Sequence, residues 1–119
     1  MAAPNIVNVS NIVGKTAVMA VTTVATALVT NSAASNKVFK INSLVVSNVD
    51  DTNSADVTVD LFRSSVAYRL ASTITVPADA SLVVISKDTA IYLEEGDSIR
   101  CTASANSDLE AVCSYEEIS

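Results

Sequence analysis

The sequence predicts an all-β fold, an antiparallel β-sandwich of about eight strands with an extended N-terminal arm. About a third of the 119 residues are Val, Ile or Thr, the β-branched types that favour strands. Short runs alternate between apolar and polar residues, and turn-forming clusters separate them at intervals of about 8–12 residues. A jelly roll and an immunoglobulin-like sandwich both satisfy this pattern.

The first two predicted strands are Thr16–Val21 and Val24–Thr30, or one long strand that bends at Thr22-Thr23. Alanine is frequent here, so a helix is the alternative, but the density of Val and Thr favours strands. After the loop Asn31–Asn36, Lys37–Ser47 first alternates and then becomes continuously apolar. Such a change is typical of a strand that passes from a half-exposed to a buried part of a sheet.

The remaining strands lie between clusters of Asn, Asp, Ser, Pro and Gly, whose side chains or backbones favour turns. Glu94–Ser98 is one such turn, with Gly96 at the position of positive φ. A loop over Ala105–Asp108 joins the last two strands as a hairpin. These predicted strands are Ala55–Phe62, Val66–Val76, Ser81–Ile85, Ile91–Leu93, Ile99–Ser104 and Leu109–Tyr115.

Length and composition predict one sandwich domain over 14–119, preceded by an arm over 1–13. The chain is 50% hydrophobic, which excludes an intrinsically disordered protein. Thirteen acidic and seven basic residues give a net charge of −6, which argues against binding to nucleic acid. Ala17–Thr30 is the most apolar stretch but is shorter than the ~20 residues of a membrane-spanning helix.

The residue types provide no catalytic or cofactor site. The chain has no histidine, the usual general base near neutral pH and the commonest metal ligand. Its two glycines cannot build a phosphate-binding loop or a dinucleotide fingerprint. We therefore expect a protein that is not an enzyme and binds no cofactor and no metal.

Cys101 and Cys113 are the two cysteines of the chain. If the hairpin around Ala105–Asp108 is symmetric, the two residues lie directly opposite each other on adjacent strands. Their Cα atoms would then be about 4.5–5.5 Å apart, a separation that permits a disulfide without requiring one. We expect a pair of buried, reduced thiols that act as small apolar side chains, with a disulfide as the alternative.

Two groups of residues are candidates for contact with a partner. Arg63 and Arg69 flank Tyr68 in a hairpin-like region, and Arg and Tyr are enriched at interaction hot spots. The N-terminal arm carries apolar residues between asparagines. Its candidate contacts are Pro4, Ile6, Val7, Val9 and Ile12.

Several segments resemble the small β-sandwich virion proteins of tailed bacteriophages, especially those that infect marine cyanobacteria. Most of the likeness lies in the C-terminal half, in VPADASLVVI over Val76–Ile85, IYLEEGDSIR over Ile91–Arg100 and CSYEEIS over Cys113–Ser119. KVFKINSL over Lys37–Leu44 resembles the same group, so the likeness covers most of the chain beyond the arm.

The resemblance implies a structural protein of the virion that is assembled in the host cytoplasm. Within that class we expect a capsid decoration, or cement, protein that binds and stabilises the head lattice. Its partners would be the major capsid protein or other virion proteins, and further copies of itself in a homo-oligomer. A structural protein of the tail, neck, baseplate or fibre is the alternative, and a carbohydrate- or host-surface-binding module is the alternative of another class.

Overall fold

The computed structural model describes residues 4–119, so the first three residues of the predicted arm lie outside the described residues. The described chain forms nine strands and a short 3-10 helical turn at Lys87–Thr89. The strands are β1 (Ile12–Val21), β2 (Thr26–Thr30), β3 (Val38–Asn48), β4 (Ala55–Arg63), β5 (Val66–Val76), β6 (Ser81–Ile85), β7 (Ile91–Leu93), β8 (Ser98–Ala103) and β9 (Leu109–Ile118).

The strands form two antiparallel sheets packed face to face, which confirms the predicted β-sandwich. Sheet A has the order β1-β9-β3-β6, with β7 also paired to β3. Sheet B has the order β2-β8-β4-β5. The first strand pairs with the last, and β1 and β2 lie in different sheets, which is the arrangement of a jelly roll.

The core lies between the sheets and is built from alternate residues of the central strands. In β3, Leu44 and Val46 are fully buried, and in β4 the same is true of Val57 and Val59. Because successive side chains of a strand point to opposite faces, the residues between these positions lie on the outer faces of the sandwich.

The beginning of the chain forms two strands, and the alternatives of a single bent strand and of a helix are wrong. β1 begins at Ile12, four residues before the predicted start, so it includes two residues that the sequence assigned to the arm. It pairs with β9 over ten residues without a register shift. The pairing continues through Asn11, whose N–H and C=O both bond to Ser119 at 2.9 Å.

Two turns show how local sequence directs the fold. Ser64 and Ser65 both have positive φ, 51° and 62°, as a type I′ turn requires, and they join β4 to β5. Gly96 has a φ of +89°, which confirms the position predicted for it.

Two buried asparagines bond to loop backbone: Asn31 directly follows β2, and Asn48 is the last residue of β3. Asn31 donates to the carbonyl oxygens of Lys37 (2.9 Å) and Leu93 (3.1 Å). Asn48 donates to the carbonyl oxygens of Asn53 (2.9 Å) and Val76 (3.0 Å) and accepts from the Asp50 N–H. Each side chain thus satisfies backbone groups that a loop would otherwise leave buried without a partner.

The predicted cross-strand cysteine pair is wrong. Cys101 lies on β8 in sheet B, whereas Cys113 lies on β9 in sheet A, so the connection between them crosses from one sheet to the other. A hairpin and such a crossing leave the same alternating pattern of buried residues, which is why the sequence did not distinguish them. Both cysteines are free and buried.

Burial controls the chemistry of the two thiols. It raises the pKa of Cys101 to about 12 and that of Cys113 to about 11. The unfolded chain therefore ionises these thiols at lower pH than the folded chain does. Their neutral burial contributes fully to stability below about pH 9, and that contribution is lost as the pH rises toward 11–12.

Candidate interaction surface

A row of valines crosses the outer face of sheet A. The four residues are direct cross-strand partners, one from each strand of the order β1-β9-β3-β6. Val18, Val112 and Val83 are 72%, 45% and 59% exposed, and Val45 is half-buried. We call this set the valine row; it consists of Val18, Val112, Val45 and Val83.

The valine row is a continuous apolar line across the whole sheet. With a strand spacing of about 4.8 Å, its four side chains extend over about 14 Å. Single exposed apolar residues are normal on a protein surface, whereas contiguous apolar surface marks sites of interaction. The row is therefore the leading candidate for a binding surface on this chain.

Small, mostly uncharged residues lie on both sides of the valine row. On one side Ala20 pairs with Glu110, and Ser47 pairs with both Glu110 and Ser81. A shallow groove of about 380 Å³ runs beside Val18 and Val112 above Ala20. Apart from the exposed Glu110, these neighbours have short side chains, so the valines are accessible for packing against another surface.

The sequence missed this surface because its members are far apart along the chain. Each valine reads as an ordinary exposed residue of an alternating strand. Only the strand order and the pairing register bring the four together. The available signal was that each one lies between two residues that pack toward the core.

The apolar side chains of the predicted arm are exposed to different degrees. Val7 is 83% exposed and Ile6 51% exposed, whereas Pro4 and Val9 are half-buried. Ile12, 57% exposed, belongs to β1. Among the described residues of the arm before β1, Ile6 and Val7 are exposed to solvent, and contact of the arm with a partner stays a prediction.

The predicted contact patch of Arg63, Tyr68 and Arg69 is not a single surface. Tyr68 pairs with Leu61 and Arg69 with Asp60, so the two side chains lie on opposite faces of β5. Arg63 points to the end of the sandwich, where its Nε donates to Asp97 Oδ1 at 2.8 Å. Tyr68 and Arg69 are adjacent in sequence, which suggested a common patch. In a strand, however, adjacent side chains point to opposite faces of the sheet.

Arg63 and Asp97 form a partly buried ion pair. Burial opposes ionisation of the Asp97 carboxyl, but hydrogen bonds from Arg63 and from the Glu94 N–H outweigh it and lower the pKa of Asp97. Arg63 also bonds to Glu94 at 2.9 Å. The contacts of Arg63 with Asp97 and Glu94 stabilise the turn between β7 and β8, so Arg63 has a structural role.

Asp60 is a fully buried carboxylate on the outer face of sheet B. Its cross-strand neighbours are Arg69 on β5 and Arg100 on β8, and both contact it. Arg100 Nε donates to Asp60 Oδ1 at 2.9 Å, and Arg69 Nη1 donates to Oδ2 at 3.3 Å. The Arg100 guanidinium also lies 4.0 Å from the centre of the Phe62 ring, so it covers both the carboxylate and the ring.

Carboxylates gather at the end of the sandwich formed by the loops after β3 and β8. Asp50 accepts from the N–H groups of Thr52 and Asn53, which lowers its pKa. Desolvation and the neighbouring Asp50 raise the pKa of Asp108. Among residues 4–119, no group of three or more His, Cys, Asp or Glu is arranged to hold a metal ion.

No family model matches the chain, and no curated protein matches it. Among solved structures, it is similar to a protein of the Bacillus endospore appendages, which are described as a novel family of disulfide-linked pili. The TM-score is 0.52 at 14% sequence identity, and the match covers 91% of this chain and 88% of that one. At this identity the likeness concerns the fold. In the part of the chain described here, no helix is long and apolar enough to cross a membrane.

Proposed function

We propose that the chain is a non-enzymatic structural subunit that docks on a larger particle through the valine row. The particle is the virion of a tailed bacteriophage, and the subunit is a capsid decoration protein that stabilises the head lattice. The single observation that carries docking is the contiguous apolar line across β1, β9, β3 and β6 of sheet A.

The choice of particle rests on the sequence. The segments Lys37–Leu44, Val76–Ile85 and Ile91–Arg100 resemble small virion proteins of tailed phages. A tail, neck, baseplate or fibre position in the same virion is the second candidate, because the resemblance does not distinguish head from tail. Homo-oligomerisation also belongs to this proposal, and the structural neighbour, described as forming pili, supports it.

Assembly of this chain would not use disulfide links between subunits. Both of its cysteines are fully buried in the core, so neither thiol reaches a neighbouring subunit. In this respect it differs from the similar appendage protein, which is described as disulfide-linked. Apolar burial at the valine row supplies the attraction instead.

The test is binding of purified chain to virions that lack it, with Val112 replaced by glutamate. A carboxylate placed in the centre of a dry apolar contact must lose its water without gaining a partner. We expect the Val112→Glu variant to bind at least about tenfold more weakly than the unaltered chain, which corresponds to a loss of about 1.4 kcal/mol or more. Binding is measured by cosedimentation at increasing protein concentration.

Val66→Glu is the matched control for Val112→Glu. Val66 is 46% exposed, against 45% for Val112, but lies on β5 in sheet B and pairs with Arg63. We expect this variant to bind as the unaltered chain does. If Val112→Glu keeps the unaltered affinity while circular dichroism confirms its fold, the valine row is not the docking surface.

A further inference from the structure

Among residues 4–119, the outer edge of β1 has no strand partner and carries a regular set of unpaired backbone groups. Asn11 exchanges both of its backbone hydrogen bonds with Ser119, and the β1–β9 register continues without a shift. In antiparallel pairing such residues alternate, so odd-numbered residues of β1 direct N–H and C=O toward β9. Even-numbered residues direct theirs to the free edge; they are Ile12, Gly14, Thr16, Val18 and Ala20.

β1 lacks the features by which proteins usually protect an edge strand. A protected edge strand is short, or it carries proline, charged side chains, bulges or interruptions. β1 has ten residues, no proline and no register shift, and its one charged side chain, Lys15, bonds to Glu117 at 2.7 Å. Its free edge is therefore suited to pairing with another strand.

The other edges of the described sandwich are less suited to such pairing. β5 has two register shifts, a residue with positive φ at Thr73 and the charged Arg69. β2 has five residues and a register shift. On the far edge of sheet A, the helical turn Lys87–Thr89 separates β6 from β7, which have five and three residues.

We propose that β1 pairs antiparallel with β1 of a second copy of this chain, around a two-fold axis at Val18. The partner is a second copy because, in the described chain, no other edge strand matches β1 in length and regularity. A two-fold axis perpendicular to the sheet leaves the outer faces of both sheets A on the same side. The contact is isologous, so it closes as a dimer.

The register follows from the valine row. When Val18 lies opposite Val18 of the second copy, the two rows join into one line of eight valines. The same register pairs Thr16 with Ala20 of the second copy, both of which direct backbone groups to the free edge. Val18, the most exposed member of the row at 72%, then gains a β-branched cross-strand partner.

This inference extends the proposed function, because the dimer doubles the length of the docking surface, but its test needs no virion. We expect light scattering with size exclusion to give twice the 12.3 kDa mass of the chain. Thr16→Pro removes an N–H that faces the free edge and leaves the β1–β9 bonds intact, so it should give a folded monomer. Val83→Lys, on the opposite edge of the same row, should remain a dimer.

Cross-linking tests the register. A short bis-maleimide, which alkylates one thiol at each end, should join Val18→Cys chains into covalent dimers. It should not join Val83→Cys chains, because Val83 lies at the far end of the row from the two-fold axis. The native cysteines are buried and do not react. A monomeric unaltered chain, or a dimer that Thr16→Pro leaves intact, would overturn the proposal. Cross-linking of Thr16→Cys in preference to Val18→Cys would overturn the register. Val112→Glu should still dimerise, which separates this proposal from docking on the virion.

Discussion

Replacing Arg100 with methionine is expected to lower the free energy of unfolding by about 3–5 kcal/mol. Asp60 is fully buried, and Arg100 provides its closest hydrogen bond, at 2.9 Å. Without it, the carboxylate keeps only Arg69 at 3.3 Å. Methionine fills the space of the arginine stem but supplies no donor and no charge. Denaturant unfolding followed by circular dichroism measures the loss.

Two further variants identify the cause. Arg69→Met should cost about 1 kcal/mol, because Arg69 is 53% exposed and its pairing is screened by water. Replacing all three members, by Asp60→Leu with Arg69→Met and Arg100→Met, should recover most of the loss, because no buried charge then remains without a partner. A triple variant no more stable than Arg100→Met alone would show that the loss comes from packing.

Asn48→Ala is expected to lower the free energy of unfolding by about 3 kcal/mol, since three hydrogen bonds of a buried side chain disappear. The carbonyl of Val76 in particular loses the donor that the buried Asn48 side chain provides. The loop after β3 also loses its attachment to the end of β5. Thermal and denaturant unfolding of the same variant measure the change.

Asn53→Ala is the control in the same loop. Its side chain makes one exposed bond of 3.3 Å to Asp50, and its backbone carbonyl, the acceptor for Asn48, is unchanged. We expect a loss of about 0.5 kcal/mol or less. Equal losses for Asn48→Ala and Asn53→Ala would mean that the Asn48 side chain does not attach the loop after β3 to the end of β5.

Local patterns predicted the strands well, because alternation and turn residues act over short distances. β4, β5, β6 and β7 lie where their alternation and flanking turns indicate. Pairing between strands is a long-range property, and there the sequence failed. The connection from Cys101 to Cys113 could be a hairpin or a crossing between sheets, and both bury the same alternate residues.

The candidate surface was unpredictable for the same reason. Val18, Val45 and Val112 are separated by many residues and become neighbours only through the register of β1, β9 and β3. Asp60 lies on the outer face of sheet B, yet it is buried, because its neighbours across the sheet are two arginines. A polar residue on an outer face is exposed only when its cross-strand partners leave it uncovered.

The central claim is that the chain is a regular component of a virion, and its most direct test is the composition of purified particles. Quantitative mass spectrometry gives the number of copies of this chain per copy of the major capsid protein. The proposed decoration role predicts a ratio near unity or a simple fraction of it. A few copies to some dozens per particle would place the chain in the tail, neck or baseplate. Absence from the particle would contradict the proposed function and leave the jelly-roll fold without its virion role.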